Sequence, residues 1–405
     1  MFLSRRVISG FSLAILGWLS PIILLANIDA QRSDQLDLCF NFPLDCEKYF
    51  DGYSIDAERS SPERKVYYVE KTAYKSAWYF YSTNRYIKTE ILNAPIVRYN
   101  EAFTDQTNGG TPMFGKIRVS VPAIHVRGKS EFPHKEKNQD PFKHFVLGSH
   151  EFFDASQLQE ILEAESERNG TAKLLTYVHG VNNTFPDAVR RLAQLKTDLP
   201  YEGMAFLFSW PSRRWEIYNS LNNYQVDRAN ADISSRILTK TLKTLSASAQ
   251  REHSLIAHSH GAKVMAQTLV DLGAGGITDI GVKSIIMVAP DISVAKFEQY
   301  YDDLSNLPRN TMFAVYTYTD DRILKRAEQW DKQPRLGRSN IEDGVFENVM
   351  ITNVRGELKK SMSHSYFYVA PEMLDDISMV LNVDDLKLKS SDMDMIRELW
   401  IGDKP

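Results

Sequence analysis

The sequence carries only two cysteines, Cys39 and Cys46, among 405 residues, so the fold cannot rest on a network of disulfides or on a thiolate-rich metal site. A basic stripe is missing too. With 48 Lys and Arg against 52 Asp and Glu the formal net charge is -4, and no cluster of cations of the kind that neutralises phosphates is encoded, which argues against nucleic acid as a partner. Neither an internal repeat nor a low-complexity tract occurs, and no glycine-rich loop is placed to cradle phosphates. His125, His134, His144 and His150 lie in a charged, irregular stretch, but their spacing matches no metal pattern and they read as loop residues. The chain is therefore expected to need neither metal nor organic cofactor.

What is present is ordinary globular composition, 43% hydrophobic and 25% charged, enough for one large domain with a substantial core. Arg5 and Arg6 precede an apolar run from Val7 to Ala26, which reads as an export segment spanning residues 1–30. Ala26 and Ala30 suit a cleavage site, yet the run approaches the length of a membrane span, so a signal peptide and an uncleaved anchor both stay open. Either way the body of the chain is expected beyond the membrane, periplasmic or extracytoplasmic, and an anchor would give it membrane contact. In such a compartment Cys39 and Cys46, with six residues between them, can pair as a disulfide; two free thiols in a polar tether over residues 31–64 are the alternative.

From residue 65 the chain turns aromatic, with Tyr67, Tyr68, Tyr74, Trp78, Tyr79, Phe80 and Tyr81 in close succession, a density that suits sheet packing. Strands are predicted over Trp78–Ser82 and Lys116–Val121. Beyond residue 170 short apolar runs alternate with segments of helical period, the mark of β-α units building a parallel sheet covered on both faces. The expected strands are Leu174–Val178, Met204–Phe208, Ser254–Ala257, Ser284–Val288, Met312–Tyr318 and Val349–Val354, for a sheet of about eight in all. Helices are predicted over Pro186–Leu199, Val226–Ser246, Ala262–Leu272, Val294–Leu304, Asp321–Asp331 and Pro371–Val380. This gives one α/β domain over residues 65–385, with residues 386–405 as a tail.

The sharpest local signal is Ala257-His258-Ser259-His260-Gly261, set between an apolar strand and a helical segment. A strand that turns abruptly into a helix and lifts a serine hydroxyl clear of the backbone needs small residues two before and two after it, and Ala257 and Gly261 supply them. The competing reading is a serine that merely caps a helix. A second signal is His179-Gly180-Val181-Asn182, after the strand ending at Val178, where such a fold places a loop bearing an oxyanion donor. The backbone N–H groups of His260 and Val181 are the candidate donors, and His179 reads as a structural histidine of its loop.

A serine hydroxyl needs a base. After His260 the chain contains a single further histidine, His364, and His260 cannot reach back to its neighbour's hydroxyl because the turn points the two side chains apart. His364 is thus the expected base. For the acid behind it, Asp321 leads because the loop after the later strand is the usual place in this arrangement, with Asp320 and Asp291 as alternatives and Asp291 also suited to capping a helix. The segment from Ser209 to Tyr224, with Trp210, Arg213, Arg214, Trp215 and Tyr218, stands where a short lid is expected, its arginines on a solvated loop face.

These blocks resemble a family of bacterial alpha/beta hydrolases known as DUF900. Tyr177-Val178-His179-Gly180-Val181-Asn182-Asn183-Thr184-Phe185, Phe208-Ser209-Trp210-Pro211-Ser212 and Ile256-Ala257-His258-Ser259-His260-Gly261 are similar to its central motifs. Ala289-Pro290-Asp291, Thr319-Asp320-Asp321-Arg322 and His364-Ser365-Tyr366-Phe367 look like its later blocks. Ser82-Thr83-Asn84-Arg85 and Gly115 to Pro122 match its first strands, so the resemblance covers residues 78–381. It implies the α/β-hydrolase fold and an acid directly before an arginine, which is Asp321. His260 departs from the family, where methionine is more usual.

Two classes of function fit. The first is a serine hydrolase of esterase or lipase type, acting on a small-molecule or lipid acyl substrate through Ser259, His364 and Asp321, with transfer to another acceptor using the same residues. The second is a catalytically silent binding or envelope-scaffold module on the same fold.

Overall fold

The apolar runs become strands of one sheet, and the periodic segments become the helices that cover it. The computed structural model describes residues 75–402, apart from 94–96, 123–124, 134–138, 214–219, 248–250, 275–280, 305–310, 342–345, 347–348, 360–362 and 383–395. The export segment, Cys39 and Cys46, the tether, Tyr67, Tyr68, Tyr74 and His134 lie outside the described residues. Among the described residues no helix is long and apolar enough to cross a membrane.

The strands are β1 (Lys75–Thr83), β2 (Arg85–Ile87), β3 (Phe103–Thr107), β4 (Met113–Val121), β5 (Leu147–Phe153), β6 (Lys173–Val178), β7 (Met204–Ser209), β8 (Glu252–His258), β9 (Val282–Val288), β10 (Met312–Tyr318), β11 (Met350–Arg355) and β12 (Ile396–Trp400). Ten of them form one sheet in the order β12-β11-β10-β9-β8-β6-β7-β1-β4-β5, and β2 and β3 make a separate hairpin. Pairing is parallel from β12 through β1; β4 runs antiparallel to both β1 and β5. The main helices are α1 (Ala155–Asn169), α2 (Phe185–Asp198), α3 (Ser220–Leu245), α4 (His260–Ala274), α5 (Val294–Leu304), α6 (Arg322–Asp331) and α7 (Pro371–Leu381).

Side chains alternate across a strand, so each central strand feeds two cores. Leu175 and Tyr177 of β6 and Ala205 and Leu207 of β7 pack with Phe185, Leu192 and Leu195 of α2 and Met373 and Ile377 of α7. Their neighbours Leu174, Val178, Phe206 and Phe208 face the other way, onto Leu158 of α1, Leu238 of α3, Met265 of α4 and Phe297 of α5. The aromatic stretch divides by the same rule, with Tyr79 and Tyr81 in one core and Phe80 in the other.

The sheet is larger than the eight strands expected, because β5 and β12 are edge strands of mixed polarity and carry no continuous apolar run. His150 lies on β5 rather than in a loop. The chain past residue 385 adds β12 to the sheet. Helix α1 escaped notice because its apolar stripe is reduced to Leu158 and Leu162; the capping box of Asp154 and Gln157 and the left-handed Gly170 define its ends instead.

Strand β12 is tied to the body by Asp376 on α7, whose Oδ2 accepts from the Tyr316 hydroxyl at 2.6 Å and from Arg397. Asp376→Ala should leave the fully buried Tyr316 hydroxyl without an acceptor and cost about 1–3 kcal/mol, read as a lower urea midpoint. An unchanged midpoint would show that this edge is held by other contacts.

Candidate active site

Four loops at the carboxyl ends of parallel strands meet above the centre of the sheet, where folds of this type open a crevice. They follow β6, β8, β10 and β11 and bring with them residues 179–184, Ser259, Asp321 and His364.

Ser259 stands between β8 and α4 with φ of 55°, in the left-handed region that a side-chain-bearing residue enters only under constraint. Its N–H donates to Val288 O at 3.0 Å, and its carbonyl accepts from Ala262 N at 3.0 Å and Asp291 N at 3.1 Å. Close backbone approach explains the small residues around it. A Cβ on Gly261 would lie 2.4 Å from Val178 O, and one on Gly180 would lie 2.8 Å from the Ser259 Cβ. The loop after β6 is thereby laid directly against the serine.

Asp321 is fully buried as the N-cap of α6. One carboxylate oxygen accepts from Ile323 N at 2.9 Å and Leu324 N at 3.0 Å, and the other meets His364 Nδ1 at 2.6 Å. Of the three aspartates considered, Asp321 is the one joined to His364. Asp320 is exposed in the preceding turn. Asp291 is engaged elsewhere: its Oδ2 meets His260 Nδ1 at 2.7 Å, and Arg335 and the Tyr224 hydroxyl hold the same carboxylate. Burial alone would raise the pKa of Asp291, but His260 and Arg335 outweigh it and hold the carboxyl below its usual range.

Burial acts to lower the pKa of His364, and the Asp321 carboxylate, through charge and hydrogen bond, overrides that and holds the imidazole above its ordinary value of 6.5. His258, the serine's neighbour, packs against it at a tilt of 45° with ring centroids 4.7 Å apart and holds its carbonyl through Nε2 at 3.0 Å. Burial, then the nearby His364 charge, push His258 well below 6.5, so it stays neutral beside its partner. Ser259 Oγ and His364 Nε2 are both buried and make no hydrogen bond among the described residues. The imidazole is thus fixed at one nitrogen and open at the other.

Sequence reasoning placed Ser259, His260, Val181, His364 and Asp321 in this region; in the structure Asp321 holds His364, His258 beside the serine packs on that imidazole, and Gly180 of the loop bearing Val181 lies against Ser259. It passed over His258, Asn183 and Arg85. Trp210 is no lid residue: β7 lies inside the sheet, and the indole is fully buried, stacked on His179 at 5.4 Å and donating to its carbonyl at 2.7 Å. His179 is structural as expected, its Nδ1 on Gly180 O at 2.8 Å, with burial and then the Arg85 charge lowering its pKa to about 3. Arg213 pairs with Asp105 at 3.6 Å, while Arg214, Trp215 and Tyr218 fall outside the described residues. Among the described residues no group of three or more His, Cys, Asp or Glu is arranged to hold a metal ion.

A family model described as an alpha/beta hydrolase of unknown function (DUF900) matches residues 154–381. Among curated proteins no relative matches the sequence. Solved structures to which the chain shows some likeness include a gene product from Listeria innocua, 11% identical over 56% of this chain and 97% of that one, with a TM-score of 0.31. A Rhizomucor miehei esterase is 12% identical over 56% of this chain and 90% of its own, at 0.29. A Legionella pneumophila phospholipase is 13% identical over 52% and 59%, at 0.31. Likeness at that level says nothing about substrate.

The packing of the serine turn can be tested with two glycines of one helix. Gly261→Ala forces a Cβ into backbone and should destabilise by about 1–3 kcal/mol. Gly273→Ala, whose Cβ would meet nothing within 4 Å, should be neutral or stabilising by up to about 1 kcal/mol. Equal urea midpoints for the two variants would contradict the close approach.

Proposed function

Because the chain belongs to the DUF900 family of alpha/beta hydrolases, we propose that it is a serine hydrolase cleaving a carboxyl ester or related acyl bond. The observation that carries this reading is a serine held at φ 55° whose neighbour His258 packs on an imidazole backed at 2.6 Å by a buried carboxylate. Each feature alone has a structural explanation; together they form the working parts of acyl transfer.

In this mechanism His364 Nε2 takes the proton of Ser259 Oγ as the oxygen attacks the substrate carbonyl. Asp321 keeps the other imidazole proton on Nδ1, which leaves the lone pair of Nε2 for the serine, and offsets the positive charge that forms. The carbonyl oxygen becomes an anion, and the backbone N–H groups of His260 and Val181 are the proposed donors to it. Collapse of the tetrahedral intermediate breaks the bond to the leaving alcohol, which receives the proton from His364. Water, deprotonated by His364, then attacks the acyl-enzyme, and Ser259 regains its proton. Phe367 packs on His258 with ring centroids 4.6 Å apart, so the imidazole beside the base has an apolar neighbour.

A fluorophosphonate probe should label the folded protein and lose at least about 1,000-fold in rate with Ser259→Ala or His364→Ala. A folded wild-type chain that takes no label would sink the reading and leave a binding or scaffold module in its place.

The labelling rate should rise with pH through an inflection above 6.5, since the base must be neutral and its folded pKa is raised. Asp321→Asn removes the raising partner and leaves burial, so the inflection should fall below 6.5 while the plateau drops by roughly 1,000-fold or more. An inflection that does not move would show that Asp321 is not the partner in solution.

A further inference from the structure

Ser82-Thr83-Asn84-Arg85, at the end of β1, precedes the residues that the family model matches. All four are polar and at most 1% exposed. Ser82 bonds Thr241 at 3.0 Å, Thr83 donates to Ser209 O at 2.6 Å and Asn84 donates to Ser234 at 3.0 Å, so three of them tie β1 to β7 and α3. Arg85 is different. Its guanidinium donates to Ser209 Oγ at 3.0 Å, Thr104 O at 3.1 Å, Ser212 O at 3.3 Å and Asn183 O at 2.9 Å, every one a neutral acceptor. Among the described residues it makes no ion pair; Asp227, Asp105 and Asp187 act on it only from farther away. Burial pushes it down to about 10, which still leaves it cationic at neutral pH.

A cation buried without a carboxylate is costly to the fold, and its position indicates what it serves. The Asn183 carbonyl that it grips ends the loop lying against Ser259. The side chain of Asn183 in turn donates to Val181 O at 2.7 Å and Gly180 O at 3.3 Å. His179 Nδ1 also holds Gly180 O, and Trp210 holds His179 O. The carbonyls of residues 179, 180, 181 and 183 are thus all taken by side-chain donors. Meanwhile Asn182 turns through φ 58°. The N–H groups of Asn183 and Thr184 go to Ser212 Oγ at 3.2 Å and Asp187 Oδ2 at 3.4 Å, and with the loop's carbonyls claimed by side chains the N–H groups of Gly180 and Val181 are left to serve the site.

We propose that Arg85, acting through Asn183, is a positioning residue that aims the N–H groups of Gly180 and Val181 at the oxyanion, with its unpaired charge adding to the field there. This rests on the serine-hydrolase reading. The charge-stabilising geometry is then built in before substrate arrives, which is where such donors gain their effect.

The test uses the full chain and the saturation kinetics of fluorophosphonate labelling, which separate the maximal rate from the half-saturating concentration. Arg85→Met and Asn183→Ala should each lower the maximal rate by about 10- to 100-fold, with half-saturation unchanged within about threefold and the pH inflection in place. Arg85→Lys, which restores the charge without the fork, should recover part of the loss. Folded variants that label at the wild-type rate, or a loss confined to half-saturation, would overturn the proposal. Should Arg85→Met fail to fold, the partly exposed Asn183→Ala decides alone. A wild-type chain that takes no label overturns the serine-hydrolase reading itself, an outcome distinct from variant rates that match a labelled wild type.

Discussion

The backbone of Ser259 occupies a conformation that costs on the order of 1–2 kcal/mol for a residue with a side chain, and the rest of the site is arranged around keeping it there. Val288 receives its N–H, while Ala262 and Asp291 hold its carbonyl. The helix that follows can start only because Gly261 lets it press onto the end of β6. Three of the four non-glycine residues with positive φ among the described residues, namely Asn182, Ser259 and Ala289, follow the carboxyl ends of neighbouring strands. Strain is thus gathered at the carboxyl ends of adjacent parallel strands in the middle of the sheet.

Two aspartates divide the electrostatic work. Asp321 gives one oxygen to the first N–H groups of α6 and the other to His364, so a single buried carboxylate both ends a helix and orients an imidazole. Asp291 serves the other side of the serine: its N–H reaches the Ser259 carbonyl, and its carboxylate joins His260, Tyr224 and Arg335. Arg335 also pairs with Asp331 at the far end of α6. The helix that begins at the acid of the site therefore ends in the network that braces the serine turn. Within this network the His260 imidazole is held by the Asp291 carboxylate, which explains how a polar ring is accommodated at a position 1% exposed.

A large part of this could be read from the chain alone. The β-α rhythm after residue 170, the small residues flanking Ser259 and the solitary late histidine follow from local chemistry: an apolar run buried on both faces, a tight turn and a base all leave marks within a few neighbouring residues. Edge strands β5 and β12 leave fainter marks, since half their side chains face solvent. Helix α1 shows only two buried leucines and is recognisable chiefly by its caps.

The candidate groups and their order could accordingly be named from the sequence: Ser259, then a choice among Asp291, Asp320 and Asp321, then His364. Choosing among the aspartates, moving Trp210 from a lid into the core beside His179 and giving Arg85 the carbonyl of Asn183 required the tertiary structure. Arg85 and Asn183 lie 98 residues apart, and a hydrogen bond over that separation depends on how β1 and β6 come to flank β7 in the sheet, which no local pattern encodes. Local chemistry determined which residues could react; packing over long range decided which carboxylate, which carbonyl and which cation stand beside them.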